Sequence, residues 1–246
     1  NIVAFLNELV WSKPLVYGLL FTGIFFSLMM RFFQVRHFKE MIRLMFQGEK
    51  SPSGISSFQA IAMSLAGRVG TGNIVGVSTA IFIGGPGAVF WMWMSAFLGA
   101  SSAFIESTLG QIFKREVNGE YRGGPAYYIE YGIGGKLGKI YGLAFAIVTI
   151  ISAGLLLPGV QANAIASSMN NAFNIPNWVV AVIVVIILAL IIFGGLRSIA
   201  NVATAVVPFM AVIYILMAII IIVINIQAVP ALLAEIFKSA FGLQSA

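Results

Sequence analysis

Cysteine and aspartate are both absent from this chain, and histidine occurs once, at His37. Without cysteine there is no disulfide framework and no thiol chemistry. Without aspartate no aspartyl dyad can form, and one histidine with no cysteine cannot build a zinc site. His37 also sits in a basic stretch outside the long apolar segments, where a Ser–His pair would have no membrane substrate to meet. The residue inventory therefore speaks against an intramembrane enzyme. Charge is scarce too: 9% of residues are charged and 60% hydrophobic, with a mean hydropathy of +0.99. A soluble domain carries about 25% charged residues. No charged residue lies between Lys13 and Arg31, Arg68 and Glu106, Lys139 and Arg197, or Arg197 and Glu235. A spanning helix needs roughly 20 apolar residues, so the 57 residues from 140 to 196 have room for two. The expected fold class is an all-α polytopic membrane protein of the cell membrane, with the lipid bilayer as its surroundings. Its net charge of +6 is then a matter of topology, and nucleic acid is not a partner. The N-terminus has neither a basic n-region nor a small-residue cleavage site, so no cleavable leader is expected. A start at Asn1 leads us to expect further residues upstream.

Six helices follow from the apolar runs and their punctuation. The first covers about 14–33, the second about 56–82, and the third about 87–113, after the turn Gly84-Gly-Pro-Gly87. The fourth covers about 137–170 and contains Pro158-Gly159, a kink signal. The fifth covers about 177–194, opened by Pro176, and the sixth about 199–225, with Pro208 a second kink candidate. Residues 230–240 read as a short amphipathic segment at the surface. The loop 114–136, with Gly123-Gly-Pro125 and Tyr127-Tyr-Ile-Glu-Tyr131, reads as carrying a short cytoplasmic interfacial helix. Eleven of the fourteen Lys and Arg residues follow the first helix, lie between the third and fourth, or join the fifth and sixth. The positive-inside rule puts that side in the cytoplasm and the N-terminus outside.

One of these helices interrupts itself. Gly67-Arg-Val-Gly-Thr-Gly-Asn73 puts three glycines into six residues between apolar segments. Lipid cannot satisfy free backbone groups, so unwound backbone persists only against protein or a water-filled cavity. A helix that stops near 66–69 leaves carbonyls free, which suit a hard cation. One that restarts near 71–73 leaves amides free, which suit a carboxylate. Gly70 and Gly72 would let a ligand approach the backbone. Gly-interrupted apolar segments are the sequence pointer to a transporter site. The competing reading is a helix-packing surface, since Gly72-Asn-Ile-Val-Gly76 matches the small-xxx-small pattern. Gln161 and Asn163, just after Pro158-Gly159, need polar partners in apolar surroundings, either on neighbouring helices or on a substrate.

The stretches "AGRVGTGNIVGVSTAIFIGGPGAVFWMW", "GASSAFIESTLGQIFK" and "PGVQANAIA" occur in that order. Together they resemble the alanine or glycine:cation symporter family of sodium-coupled amino-acid transporters. Val69-Gly-Thr-Gly-Asn73 also resembles the first broken helix of the wider LeuT-type superfamily, built from two inverted five-helix repeats. The resemblance implies a LeuT-like inverted-repeat transporter. Residues 1–55 would be an extra leading helix and basic loop, 56–225 the first repeat, and 226–246 an outer segment. Phe241–Ala246 would begin the second broken helix, with the second repeat of the same protein as the missing partner.

The resemblance also implies site roles. The carbonyls of Ala66 and Val69 would bind Na⁺ as the coupling ion, with Asn73 facing a second ion or the substrate amine beside the Arg68 carbonyl. The amides of Thr71 and Gly72 and the Thr71 hydroxyl would hold the carboxylate of a small neutral amino acid. Gly70, Gln161 and Asn163 would complete the substrate site. Arg68 departs from the small residue usual there. A buried cation is costly and paired, so Glu106 is expected to form a structural or gating pair with it. No cofactor is expected. The alternatives are a proton-coupled amino-acid permease and, in another class, a channel or non-transporting membrane subunit, for which the fourth to sixth helices offer no polar lining.

Overall fold

The computed structural model describes residues 2–47, 55–117 and 119–242. Its helices follow the apolar runs. A helix that the sequence reading did not foresee, α1 (Ile2–Val10), precedes α2 (Lys13–Met29), which opens on Pro14 in its first turn. The stretch Asn7–Met29 is long and apolar enough to cross a membrane. Arg31 and Phe32 then adopt left-handed φ angles of 53° and 52°. These turn the chain into the short α3 (Phe33–Arg36) and into α4 (Phe38–Gln47).

The second expected span is two helices. The helix α5 (Ser57–Ala66) starts with a capping box: Gln59 N–H donates to Ser56 Oγ at 3.2 Å, and Ser56 N–H donates to Gln59 Oε1 at 2.9 Å. After the glycine-rich stretch, a 3₁₀ turn (Thr71–Asn73) leads into α6 (Val75–Gly84). The two arms are bent by 65°. Then come α7 (Gly87–Ile112), an antiparallel hairpin β1 (Arg115–Val117) and β2 (Glu120–Arg122), and α8 (Pro125–Ile133). The helix α8 falls within 114–136, where a short interfacial helix was expected. The hairpin was not expected, although Asn118-Gly119 between two short alternating runs is the strongest hairpin signal a sequence offers.

The fourth span is continuous over Gly135–Phe173 but irregular. The helices α9 (Gly135–Thr149) and α10 (Leu157–Phe173) are joined by a π-helical stretch over Ile150–Leu156. Pro158 has no N–H for the carbonyl four residues back, and the ladder widens just ahead of it. The expected kink is thus a π turn. The helix α11 (Asn177–Phe193) is the shortest apolar candidate at 17 residues. The helix α12 (Gly195–Ile224) runs unbroken through Pro208, so no second break forms there. Last comes α13 (Val229–Ala240).

Among the described residues, four helices can cross a membrane by length and composition, or five if the bent pair is one span. Phe82 and Phe193 are each 90% exposed, an arrangement that lipid tolerates and water does not. The helix α2 packs on α7 in parallel: Gly23 lies against Leu98, and ten residues on, the rings of Phe33 and Phe104 are 4.1 Å apart. The parallel run brings the basic residues after α2 and those after α7 to one end of the bundle. The helix α13 does not lie loose. Phe90 packs on Phe237 and Phe241, and Trp91 Nε1 donates to the Ala240 carbonyl at 3.1 Å. A Cβ on Gly87 would come within 2.6 Å of the Ala240 nitrogen, so only glycine admits this contact. Residues 243–246, with most of the segment likened to a second broken helix, and residues 48–54 lie outside the described residues.

Candidate functional site

The break is held from both sides. The arm α5 is tied to α12 by Gln59 Nε2, which donates to Asn201 Oδ1 at 3.0 Å, and Ala62 and Ala200 are buried on these two helices. At its end the N–H groups of Arg68 and Val69 both turn to the Leu65 carbonyl, at 3.0 and 2.9 Å. The carbonyls of Ala66 and Val69 accept no hydrogen bond among the described residues. These are the two oxygens that the sequence reading gave to Na⁺.

On the far side of the break most donors are engaged. Gly70 N–H donates to Asn73 Oδ1 at 2.9 Å. The Asn73 oxygen therefore ties the turn rather than standing free for an ion. The Gly70 backbone is extended, with φ of −158°. Thr71 gives both its donors to one acceptor, Gln161 Oε1: the N–H at 3.1 Å and the hydroxyl at 2.8 Å. Gln161 Nε2 lies over Gly70, where an added Cβ would sit 2.6 Å from it. Gly72 N–H has no partner among the described residues. The structure thus brings Gly70, Thr71, Asn73 and Gln161 together. Asn163 is exposed and makes no hydrogen bond to the break among the described residues. Two residues along an α-helix is a turn of about 200°, so Asn163 points away from the face that Gln161 presents. An added Cβ on Gly72 or Gly76 would meet nothing within 4 Å, so neither glycine sits at a close helix contact here.

Below the break lies a cleft of about 410 Å³ lined by Arg68, Glu106, Lys114, Arg122, Gly123 and Tyr128 among others. The hairpin forms part of its wall, with Lys114 Nζ 4.6 Å from the centre of the Tyr121 ring. Burial, and secondarily the charge of Glu106, raises the Tyr128 phenol above its ordinary value. Arg68 and Glu106 share the cleft but do not form a salt bridge. Arg68 Nη1 instead donates to the Ser64 carbonyl at 3.1 Å and to the Ser64 hydroxyl. Ser64 is one helical turn back, within reach of a side chain at i+4. The sequence reading had no signal for this cleft, because the hairpin that closes it was not expected.

No group of three or more potential metal-ligating side chains occurs among the described residues. A monovalent cation at the break would rest on backbone oxygen instead.

The family model of the sodium:alanine symporter family matches residues 1–246. YrbD of Bacillus subtilis (strain 168) is 56% identical over 246 residues, covering all of this chain and 50% of the relative. GlnT of the same organism, named a probable sodium/glutamine symporter, is 44% identical over 249 residues, with 100% of this chain and 51% of the relative covered. The sodium/proton-dependent alanine carrier protein of Bacillus sp. (strain PS3) is 47% identical over 203 residues, 82% of this chain and 44% of the relative. The chain spans about half the length of these relatives.

Proposed function

We propose that this chain, which belongs to the sodium:alanine symporter family, forms one wall of a sodium-coupled symporter that imports a small neutral amino acid, alanine or glycine. The observation that carries the reading is the division of labour at the break: free carbonyl oxygens at Ala66 and Val69 before it, hydrogen-bond donors at Thr71 and Gly72 after it. A cation on the first set and a carboxylate on the second would sit a few residues apart and attract each other, so each favours the other's binding.

On this reading residues 56–225 are the first repeat of a LeuT-like pair, 1–55 a leading helix and loop, and 226–246 the outer segment leading to the second repeat. The second repeat would cover the open side of the break. The N-terminus lies outside the cell, and the cleft beside Arg68 and Glu106 is the cytoplasmic vestibule. Alternating access then moves one repeat against the other around the break. Gln161 faces the substrate site directly, and Asn163 reaches it only if α10 rotates. Arg68 and Glu106 pair when the vestibule closes.

The test is uptake of labelled alanine by liposomes holding the full-length protein, with an inward Na⁺ gradient, with a proton gradient, and with neither. Symport predicts accumulation that needs Na⁺ and is competed by glycine. The name of the PS3 relative gives the proton arm its weight, and glutamine, which GlnT is named for, is the competitor that would redraw the substrate. Accumulation indifferent to both gradients rejects symport.

A further inference from the structure

The Gln161 carboxamide occupies the place that a substrate carboxylate would need. Its Oε1 takes the Thr71 N–H at 3.1 Å and the Thr71 hydroxyl at 2.8 Å. Each of these groups has one proton to give. Thr71 therefore cannot serve Gln161 and a carboxylate together. The same carboxamide covers Gly70, where its Nε2 leaves no room even for a Cβ. We infer that Gln161 is an internal competitor for the carboxylate subsite: it fills Thr71 when the site is empty and must withdraw before an amino acid can bind.

The inference rests on the symporter reading and adds an affinity threshold to it, one that every ligand must overcome. An empty transporter site has to satisfy its unwound backbone, since an orphaned donor in apolar surroundings is costly. A neutral carboxamide does this without adding charge. It is also a weaker acceptor than an ionised carboxylate, whose hydrogen bonds are roughly twice as strong. A carboxylate can displace it, and water or a neutral amide gains little by doing so. Little holds the side chain in place. It is held by two hydrogen bonds to one residue, and it rides on α10 directly after the π-helical stretch Ile150–Leu156, where the ladder is already out of register.

Displacement has a thermodynamic signature that a direct contact lacks. If only the Gln161-withdrawn state binds, every ligand's apparent affinity is reduced by the same factor, the fraction of protein in that state. Removing the competitor restores that factor whatever the ligand. The experiment measures equilibrium binding of alanine, glycine and alaninamide to the purified full-length protein at saturating Na⁺. It compares the wild type, Gln161→Ala and Gln161→Met. The methionine keeps the length of the side chain and loses the acceptor, and so carries the test if alanine destabilises the fold. Both variants are expected to bind all three ligands more tightly, by a common factor of about three to ten, the worth of about one net hydrogen bond. Weakened binding in the variants, while the wild type still accumulates alanine on a Na⁺ gradient, makes Gln161 a direct ligand. That result overturns the competitor and leaves the symporter standing. A wild type that takes up no amino acid overturns both.

Discussion

The hydroxyl of Ser101 reaches from α7 to the carbonyl of Gly23 on α2, at 3.0 Å, and is itself almost wholly buried. Two small residues make that approach possible. A Cβ on Gly23 would meet the Leu98 carbonyl carbon and oxygen at 3.2 and 3.1 Å. Lipid gives no hydrophobic drive for helices to associate, so such contacts decide where the leading helix docks. Gly23→Val should loosen α2 from α7 at a cost of about 1–3 kcal/mol, the usual range for overpacking. Ser101→Ala should cost less, about 0.6 kcal/mol, the average for interhelical hydrogen bonds in membranes. Thermal unfolding in detergent ranks the two, and a larger loss for Ser101→Ala would contradict the packing account.

Two glycines offer the same short distance with different neighbours. A Cβ on Gly70 would lie 2.6 Å from Gln161 Nε2, and one on Gly87 would lie 2.6 Å from the Ala240 backbone nitrogen. The first obstacle is the far end of a flexible side chain, and the extended backbone at Gly70 suits any residue. The second is main chain. Gly70→Ala should therefore fold with a loss of about 1 kcal/mol, as Gln161 swings aside and its hydrogen bonds go. Gly87→Ala should cost about 3 kcal/mol, at the upper end for overpacking, and release α13. Unfolding temperatures report the difference, and Trp91 fluorescence should shift in Gly87→Ala alone, because Trp91 donates to Ala240.

Tyr128 supplies a pH dependence with a definite sign. Its phenol is raised above the ordinary 10.0 by burial first and by Glu106 second. The unfolded chain therefore releases this proton before the folded one does. Below the ordinary value Tyr128 leaves stability unchanged. As pH climbs from there through the raised value, stability falls, and Tyr128→Phe should remove that part of the fall. Spectrophotometric titration of the folded protein should show a late phenol ionisation that is missing in Tyr128→Phe. Glu106→Gln should lower its midpoint only slightly, since burial is the larger cause.

The helices and the break were legible in the sequence for a simple reason. Long charge-free runs leave a membrane chain few alternatives, and Gly70 and Gly72 open the run from 69 to 105, with Gly67 just across Arg68. The free carbonyls at Ala66 and Val69 follow from local chain geometry, and local geometry is what a sequence records best. What was not legible depends on distant partners. Gln161 is ninety residues from Thr71, and no spacing rule says which face of α10 meets the break. The Asn73 oxygen turns back to the Gly70 N–H, three residues earlier, because the 3₁₀ turn between them brings that donor within reach. The hairpin carried its Asn118-Gly119 signal but is only three residues long on each side, too short for its alternation to stand out. Without it the cleft beside Glu106 lacked part of its wall.

Arg68 is the remaining charge at the break, and on the proposed reading its partner would change with the state of the cleft. Here it reaches Ser64, one turn back, and leaves Glu106 across the open cleft. If closing the cleft brings the two together, their coupling belongs to transport and not to the stability of the open form. Double-mutant cycles separate these. For unfolding, Arg68→Ala with Ser64→Ala should show a coupling of about 1 kcal/mol, a single hydrogen bond's worth, and Arg68→Ala with Glu106→Ala almost none. For alanine uptake the pattern should invert. Arg68→Ala leaves Glu106 unpaired in the closed state, a costly arrangement away from water, so adding Glu106→Ala should recover much of the lost rate. Losses that simply add in the uptake cycle would mean that the pair forms at no stage, and Arg68 would then be a tether for the end of α5 and nothing more.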